Sequence, residues 1–126
     1  MNTVTLTVKT APELYLECEN VNPDAFAGKK AAEIAKLGAF QGKEISTLGD
    51  YFTITGDAGE TAADTQIIVN VDCTKMKYLG AKMTAGEMIV NSPCDMYTGA
   101  WMKGGKLTVN GDVHSFCGLA LAGGEF

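Results

Sequence analysis

Arginine does not occur in this sequence of 126 residues, so its positive charge comes from ten lysines set against fifteen carboxylates, a net charge of −5. Counterion release from a phosphate backbone needs the opposite balance, which argues against nucleic-acid binding. The chain also lacks the side chain best matched to bidentate phosphate or carboxylate recognition, a task left to less specific lysine. Histidine occurs once, at His114. The four cysteines, Cys18, Cys73, Cys94 and Cys117, are far apart and contain no Cys-x-x-Cys pair, so no zinc set is expected. No run of about 18 apolar residues is present, and Met1-Asn2-Thr3-Val4-Thr5 lacks the basic-then-apolar layout of a secretion signal. These absences lead to the expectation of a soluble intracellular protein with no membrane contact and no metal site of its own. Its four thiols are expected to be reduced, most of them packed as small hydrophobes.

What is present suits a globular chain of one-domain size, with 46% apolar residues and a mean hydropathy near zero. Thr3-Val4-Thr5-Leu6-Thr7-Val8-Lys9 alternates at period two, predicting a strand with Val4, Leu6 and Val8 facing inward. A loop carrying Pro12 and Pro23 follows. Residues 28–37 are good helix formers with Ala31, Ile34 and Leu37 on one face, predicting one short helix closed at Gly38. From Glu44 the composition returns to strand, with Tyr51-Phe52-Thr53-Ile54-Thr55 ending at the turn Gly56-Asp57-Ala58-Gly59. Residues 1–63 therefore read as a small strand-helix-strand cap.

Residues 64–126 carry a repeat. Gly80, Gly99 and Gly118 stand 19 apart, and so do Gly86, Gly105 and Gly124. Met83, Met102 and Leu121 form another column; Tyr78, Tyr97 and Phe116 a fourth; Val71, Val90 and Val109 a fifth, next to Val69, Met88, Leu107 and Phe126. Self-similarity at such a period means a solenoid whose repeats bury their apolar faces on one another. Met88/Val90 and Leu107/Val109 alternate with Glu87/Ile89 and Lys106/Thr108, a period of two that selects strands over helices. The fold class expected is mainly β, a right-handed parallel β-helix with 19-residue coils, incomplete at the C-terminus. Coils about 4.8 Å apart would stack like side chains, with Asp72, Asn91 and Asn110 as a polar ladder. The glycine columns supply corners that need positive φ or no Cβ.

Candidate chemistry is sparse. His114 shares a column with Asp95 and Met76 where loops are expected to face outward, and Ser115 beside it makes no recognisable triad, so a surface or partner-contact histidine is expected. Asp57 and Glu60 read as solvated turn carboxylates, and Gly56-Asp57-Ala58-Gly59 lacks the Gly-Lys-Ser/Thr ending of a phosphate loop. Trp101 replaces Lys82 and Ala120 in its column and, beside inward Met102, is placed facing outward, where partner contact and packing on a neighbouring loop are both open. No catalytic, cofactor-binding or metal residue is expected on this chain.

The tandem pattern Gly80-x-x-Met83-x-x-Gly86-x-Met88-x-Val90, then Gly99-x-x-Met102-x-Gly104-Gly105-x-Leu107-x-Val109-Asn110-Gly111-Asp112, resembles the glycine-rich β-helix at the C-terminus of the glutamate synthase large subunit. Together with Val4-Thr5-Leu6-Thr7-Val8-Lys9, Asn22-Pro23-Asp24-Ala25-Phe26-Ala27-Gly28-Lys29 and Met83-Thr84-Ala85-Gly86-Glu87, it resembles the C subunit of formylmethanofuran dehydrogenase. The resemblance implies a structural subunit of a cytoplasmic, heteromeric oxidoreductase that reduces carbon dioxide and forms formylmethanofuran in methanogenesis. It also implies partner subunits that hold a molybdenum or tungsten pterin, iron-sulfur clusters and an amidohydrolase-like binuclear metal site. The C subunit of the related formyltransferase/hydrolase complex of one-carbon metabolism is an alternative, and a self-sufficient β-helix enzyme a more distant one.

Family members continue through further coils, whereas Gly124-Glu125-Phe126 ends the sequence two residues into a strand. An open coil exposes apolar side chains and unpaired strand groups. The expectation is that another polypeptide covers it; Phe126 and, on its own separate grounds, Trp101 are the candidate partner-contact residues.

Overall fold

A computed structural model describes residues 2–9, 16–41, 44–71, 76–92, 99 and 101–111. In chain order its elements are β1 (Asn2–Val8), β2 (Leu16–Glu17), α1 (Pro23–Phe26), α2 (Ala31–Ile34), β3 (Gly38–Gln41), β4 (Glu44–Thr47), α3 (Leu48–Tyr51), β5 (Phe52–Thr55), a 3-10 turn at Ala62–Asp64, β6 (Thr65–Asn70), β7 (Met76–Lys77), β8 (Glu87–Val90) and β9 (Lys106–Val109). The described residues are mainly β, in two sheets of order β5-β1-β6-β8-β9 and β4-β3-β2-β7.

The period-two pattern of β1 places Val4 and Leu6 in the core and leaves Thr3 and Thr7 exposed. β1, β6, β8 and β9 run parallel, and their register stacks Val4, Ile67, Met88 and Leu107 in one ladder and Leu6, Val69, Val90 and Val109 in the next. All but the partly buried Val109 are fully or almost fully buried. Each such side chain stabilises the fold by about 1.5–3 kcal/mol relative to exposure. One core cluster joins these ladders to Leu16, Cys18, Met76, Leu79, Met83 and Met102.

The register corrects two expected columns. A strict 19-residue spacing puts Val71 under Val90 and Asp72 under Asn91, but β6 pairs with β8 at Ile67↔Met88 and Val69↔Val90. The polar ladder therefore runs through Asn70, with Asn91 Nδ2 donating to Asn70 Oδ1 at 2.7 Å and Asn110 Nδ2 to Asn91 Oδ1 at 2.8 Å. The extra residues fall between β6 and the corner at Gly80, where the 19-residue spacing resumes. The Gly99 amide donates to the Leu79 carbonyl at 2.8 Å, and β8 pairs with β9 at Glu87↔Lys106.

The ladder also reaches further back than the sequence columns do. β1 supplies its first rung and β2 pairs in parallel with β7 at Leu16↔Met76, so Met76, expected near an outward loop, is buried in a strand. Residues 23–64 form an excursion between these rungs that returns through β5, antiparallel to β1. Its first turn, α1, was expected as loop. Asn22-Pro23 begins it, with Asn22 Oδ1 accepting from the Ala25 amide at 2.8 Å and Pro23 preset for the first helical position.

The helix expected over residues 28–37 is the single turn α2, with Ile34 fully buried and Leu37 packed at the core margin. Gly38 opens β3 instead of closing a helix, because pairing with β4 at Gly38↔Thr47 outweighs helix propensity. The strand expected at residues 51–55 is β5, preceded by β4 and the turn α3. Asp57 is structural: its Oδ1 accepts from the Ala31 amide at 3.0 Å, capping α2.

Two repeat glycines are sterically forced. A Cβ on Gly86 (φ 85°) would collide with the Ala62 carbonyl oxygen and lie 2.8 Å from that of Thr65; one on Gly105 (φ 80°) would lie 2.8 Å from the Gly86 carbonyl oxygen. Gly80 and Gly99 also have positive φ, while Gly118, Gly124 and Leu121 lie outside the described residues. Gly86→Ala should lower the unfolding free energy in denaturant titration by about 2–4 kcal/mol, the left-handed penalty plus the collision. Gly28→Ala, at φ 74° with its nearest atom 3.9 Å away, should cost only about 1–2 kcal/mol.

Candidate interaction surface

After β7 the chain turns through Tyr78, Gly80 and Lys82 at φ 64°, 68° and 61°, and one repeat later Gly99 and Trp101 follow at 69° and 56°. Non-glycine residues in this region cost about 1–2 kcal/mol each. The corners are held by their stacking. The Gly80 amide donates to the Val21 carbonyl at 2.9 Å and the Lys103 amide to the Met83 carbonyl at 2.8 Å, while Met83 and Met102 are fully buried. A left-handed residue just before each buried methionine throws its own side chain outward. Lys82 and Trp101 share that position, and Trp101 is 37% exposed, the single exposed large hydrophobic among the described residues.

The Trp101 ring stacks on Tyr78, with centroids 6.2 Å apart and planes 15° from parallel, and Lys82 Nζ lies 6.0 Å from its centroid. These side chains border a cleft of about 370 Å³ whose other walls are Glu19, Asn20, Asn22 and Ala81. Its floor is fixed: Asn20 Nδ2 donates to the Gly38 carbonyl at 3.0 Å and Asn22 Nδ2 to the Glu19 carbonyl at 2.8 Å. From α1, Asp24 accepts from the Thr84 amide at 3.2 Å and the Thr84 hydroxyl at 2.6 Å, tying the excursion to the next corner. The cleft thus joins aromatic area to a carboxylate and an ammonium, the composition of a contact anchor.

Of the sequence candidates, Trp101 lies in this cleft, beside the corner formed by Gly80, Met83, Gly99 and Met102. His114, Asp95, Ser115 and Phe126, with Cys73, Cys94 and Cys117, lie outside the described residues. Glu19, Asn20 and Asn22 were not found from sequence; the signal was the Asn22-Pro23 helix start, which fixes the rung they belong to. Among the described residues, no three His, Cys, Asp or Glu side chains are grouped to hold a metal ion, and no helix is long and apolar enough to cross a membrane.

Cys18 is fully buried, its thiol donating to the Leu16 carbonyl at 3.7 Å, and burial pushes its pKa up. Only a thiolate is strongly nucleophilic, so this side chain is a packing group. Because the folded state holds this proton to higher pH than the unfolded chain does, the unfolded chain gains once pH passes the ordinary thiol range near about 8.5. The contribution of Cys18 is then complete below that pH and falls by about 1.4 kcal/mol per pH unit above it. The difference in unfolding free energy between wild type and Cys18→Ala should shrink by about 2 kcal/mol between pH 8 and pH 10 in denaturant titrations; an unchanged difference would mean that the thiol is hydrated in solution.

No family model matches the sequence. The chain is 44% identical over 97 residues to the C subunit of the tungsten-containing formylmethanofuran dehydrogenase 2 of Methanothermobacter thermautotrophicus, covering 77% of this chain and 36% of that protein. It is 40% identical over 97 residues to the C subunit of the molybdenum-containing formylmethanofuran dehydrogenase 1 of Methanosarcina barkeri, covering 77% of this chain and 32% of that one. The C subunit of a tungsten-containing enzyme from Methanococcus maripaludis is 34% identical over the same length. The chain spans about a third of the length of these curated relatives.

Proposed function

We propose that this chain serves as the C subunit of a formylmethanofuran dehydrogenase, a non-catalytic wall within the oxidoreductase that reduces carbon dioxide and forms formylmethanofuran in methanogenesis. The observation that carries this reading is the 40–44% identity to the C subunits of tungsten- and molybdenum-containing enzymes over 77% of the chain. The same reading takes the stacked parallel strands as a right-handed parallel β-helix of the glycine-rich kind found in glutamate synthase, with residues 1–63 as its α/β cap and residues 64–126 as its coils. Catalysis then belongs to cytoplasmic partners bearing the molybdenum or tungsten pterin, the iron-sulfur clusters and the binuclear metal site.

The interior supports a structural role. Its buried ladders are aliphatic and sulfur-containing, and on the exposed side Asn70, Asn91 and Asn110 are linked amide to amide. Such a body offers stiffness and a flank. The test is purification from native extract with mass spectrometry of co-eluting polypeptides. Pterin-bearing and iron-sulfur subunits are expected to accompany the chain, and elution without either would overturn the assignment.

A further inference from the structure

We propose that the cleft beside Trp101 seats an arginine side chain of a partner polypeptide, stacked on the indole and paired with the Glu19 carboxylate. This deepens the scaffold reading and rests on it for the presence of a protein partner.

Three observations converge. Trp101 keeps a large ring exposed at φ 56°, a backbone region glycine occupies more cheaply, and such strain gathers at functional sites. The two charged walls of the cleft are not equivalent. The Lys82 ammonium already lies 6.0 Å from the Trp101 centroid, whereas the Glu19 carboxylate makes no hydrogen bond or ion pair with a described residue. A cationic guest answers the charge left open. Finally, these 126 residues carry a net charge of −5 and no arginine, so a guanidinium on this surface comes from outside them, and the scaffold reading supplies it from a partner subunit. Guanidinium is the cation that both stacks on an aromatic face and forks onto a carboxylate. Lys82 is an exposed side chain on a flexible stem, and the guest displaces it from the ring.

Lys82 therefore competes with the guest, and the test turns on that sign. In the assembly reconstituted with its partner subunits, Trp101→Gly and Glu19→Lys should each weaken retention of the chain about tenfold or more. Lys82→Gln should leave it unchanged or tighten it. Glycine suits the left-handed position, so Trp101→Gly should keep its melting temperature, which separates lost contact from lost fold. Independently, the full chain can be titrated with N-acetyl-arginine amide and read by the fluorescence of its sole tryptophan. A saturable change with arginine and none with N-acetyl-glutamate amide is expected.

Equal responses to the two amides, or weakening by Lys82→Gln with tightening by Glu19→Lys, would overturn the inference. Wild-type assembly indifferent to both Trp101→Gly and Glu19→Lys overturns it too, while leaving the family assignment standing. Saturable arginine binding by a chain that retains no pterin-bearing subunit does the reverse.

Discussion

Close approach of parallel backbones at one strand spacing is the constraint on which the rest of this molecule depends. Once β1, β6, β8 and β9 are hydrogen-bonded side by side, side chains in register must lie on one another and find favourable contact there. Val4, Ile67, Met88 and Leu107 meet this condition with dispersion and burial; Asn70, Asn91 and Asn110 meet it with amide hydrogen bonds. The same approach leaves no room for a Cβ at Gly86 or Gly105, where carbonyl oxygens of adjoining segments occupy the space. Glycine, valine and asparagine columns are three consequences of one spacing.

That origin explains what could be read from the residues alone. The glycine and methionine columns were legible because their neighbours in space are their neighbours by a constant sequence offset. So was the alternation of β1, which depends only on which face meets the core. The fault came at β6, where the offset to β8 changes and the columns gave Val71 and Asp72 the places held by Val69 and Asn70. Periodicity in sequence measures the path between rungs, whereas the structure conserves the contact. The excursion was less legible for another reason: Gly38 and its neighbours are drawn from helix into β3 by pairing with β4, an interaction invisible to a local window.

The cleft shows both cases in one place. Trp101 stood out because the tryptophan interrupts a column otherwise held by Lys82 and Ala120. Glu19, Asn20 and Asn22 did not stand out, since they sit on a rung separated from the next by the whole excursion, and no offset connects them to Tyr78 or Lys82. Their positions follow from the stacking of β2 on β7 and from the Asn22 cap, both of which are tertiary facts. Strain and exposure then coincide where the left-handed corner faces outward.

The change of offset between successive rungs has a broader meaning. The rise from one strand to the next is quantised by backbone hydrogen bonding, but the length of chain between them is a free variable, taken up at corners such as the one before Gly80. Seen this way the fold is a ratchet with uniform teeth and an elastic belt. A pair of added residues slackens the belt at one corner; the 23–64 excursion slackens it enough to fold elements of its own. Both return to the next tooth with every ladder intact, so this architecture can acquire new surface by insertion without renegotiating its core.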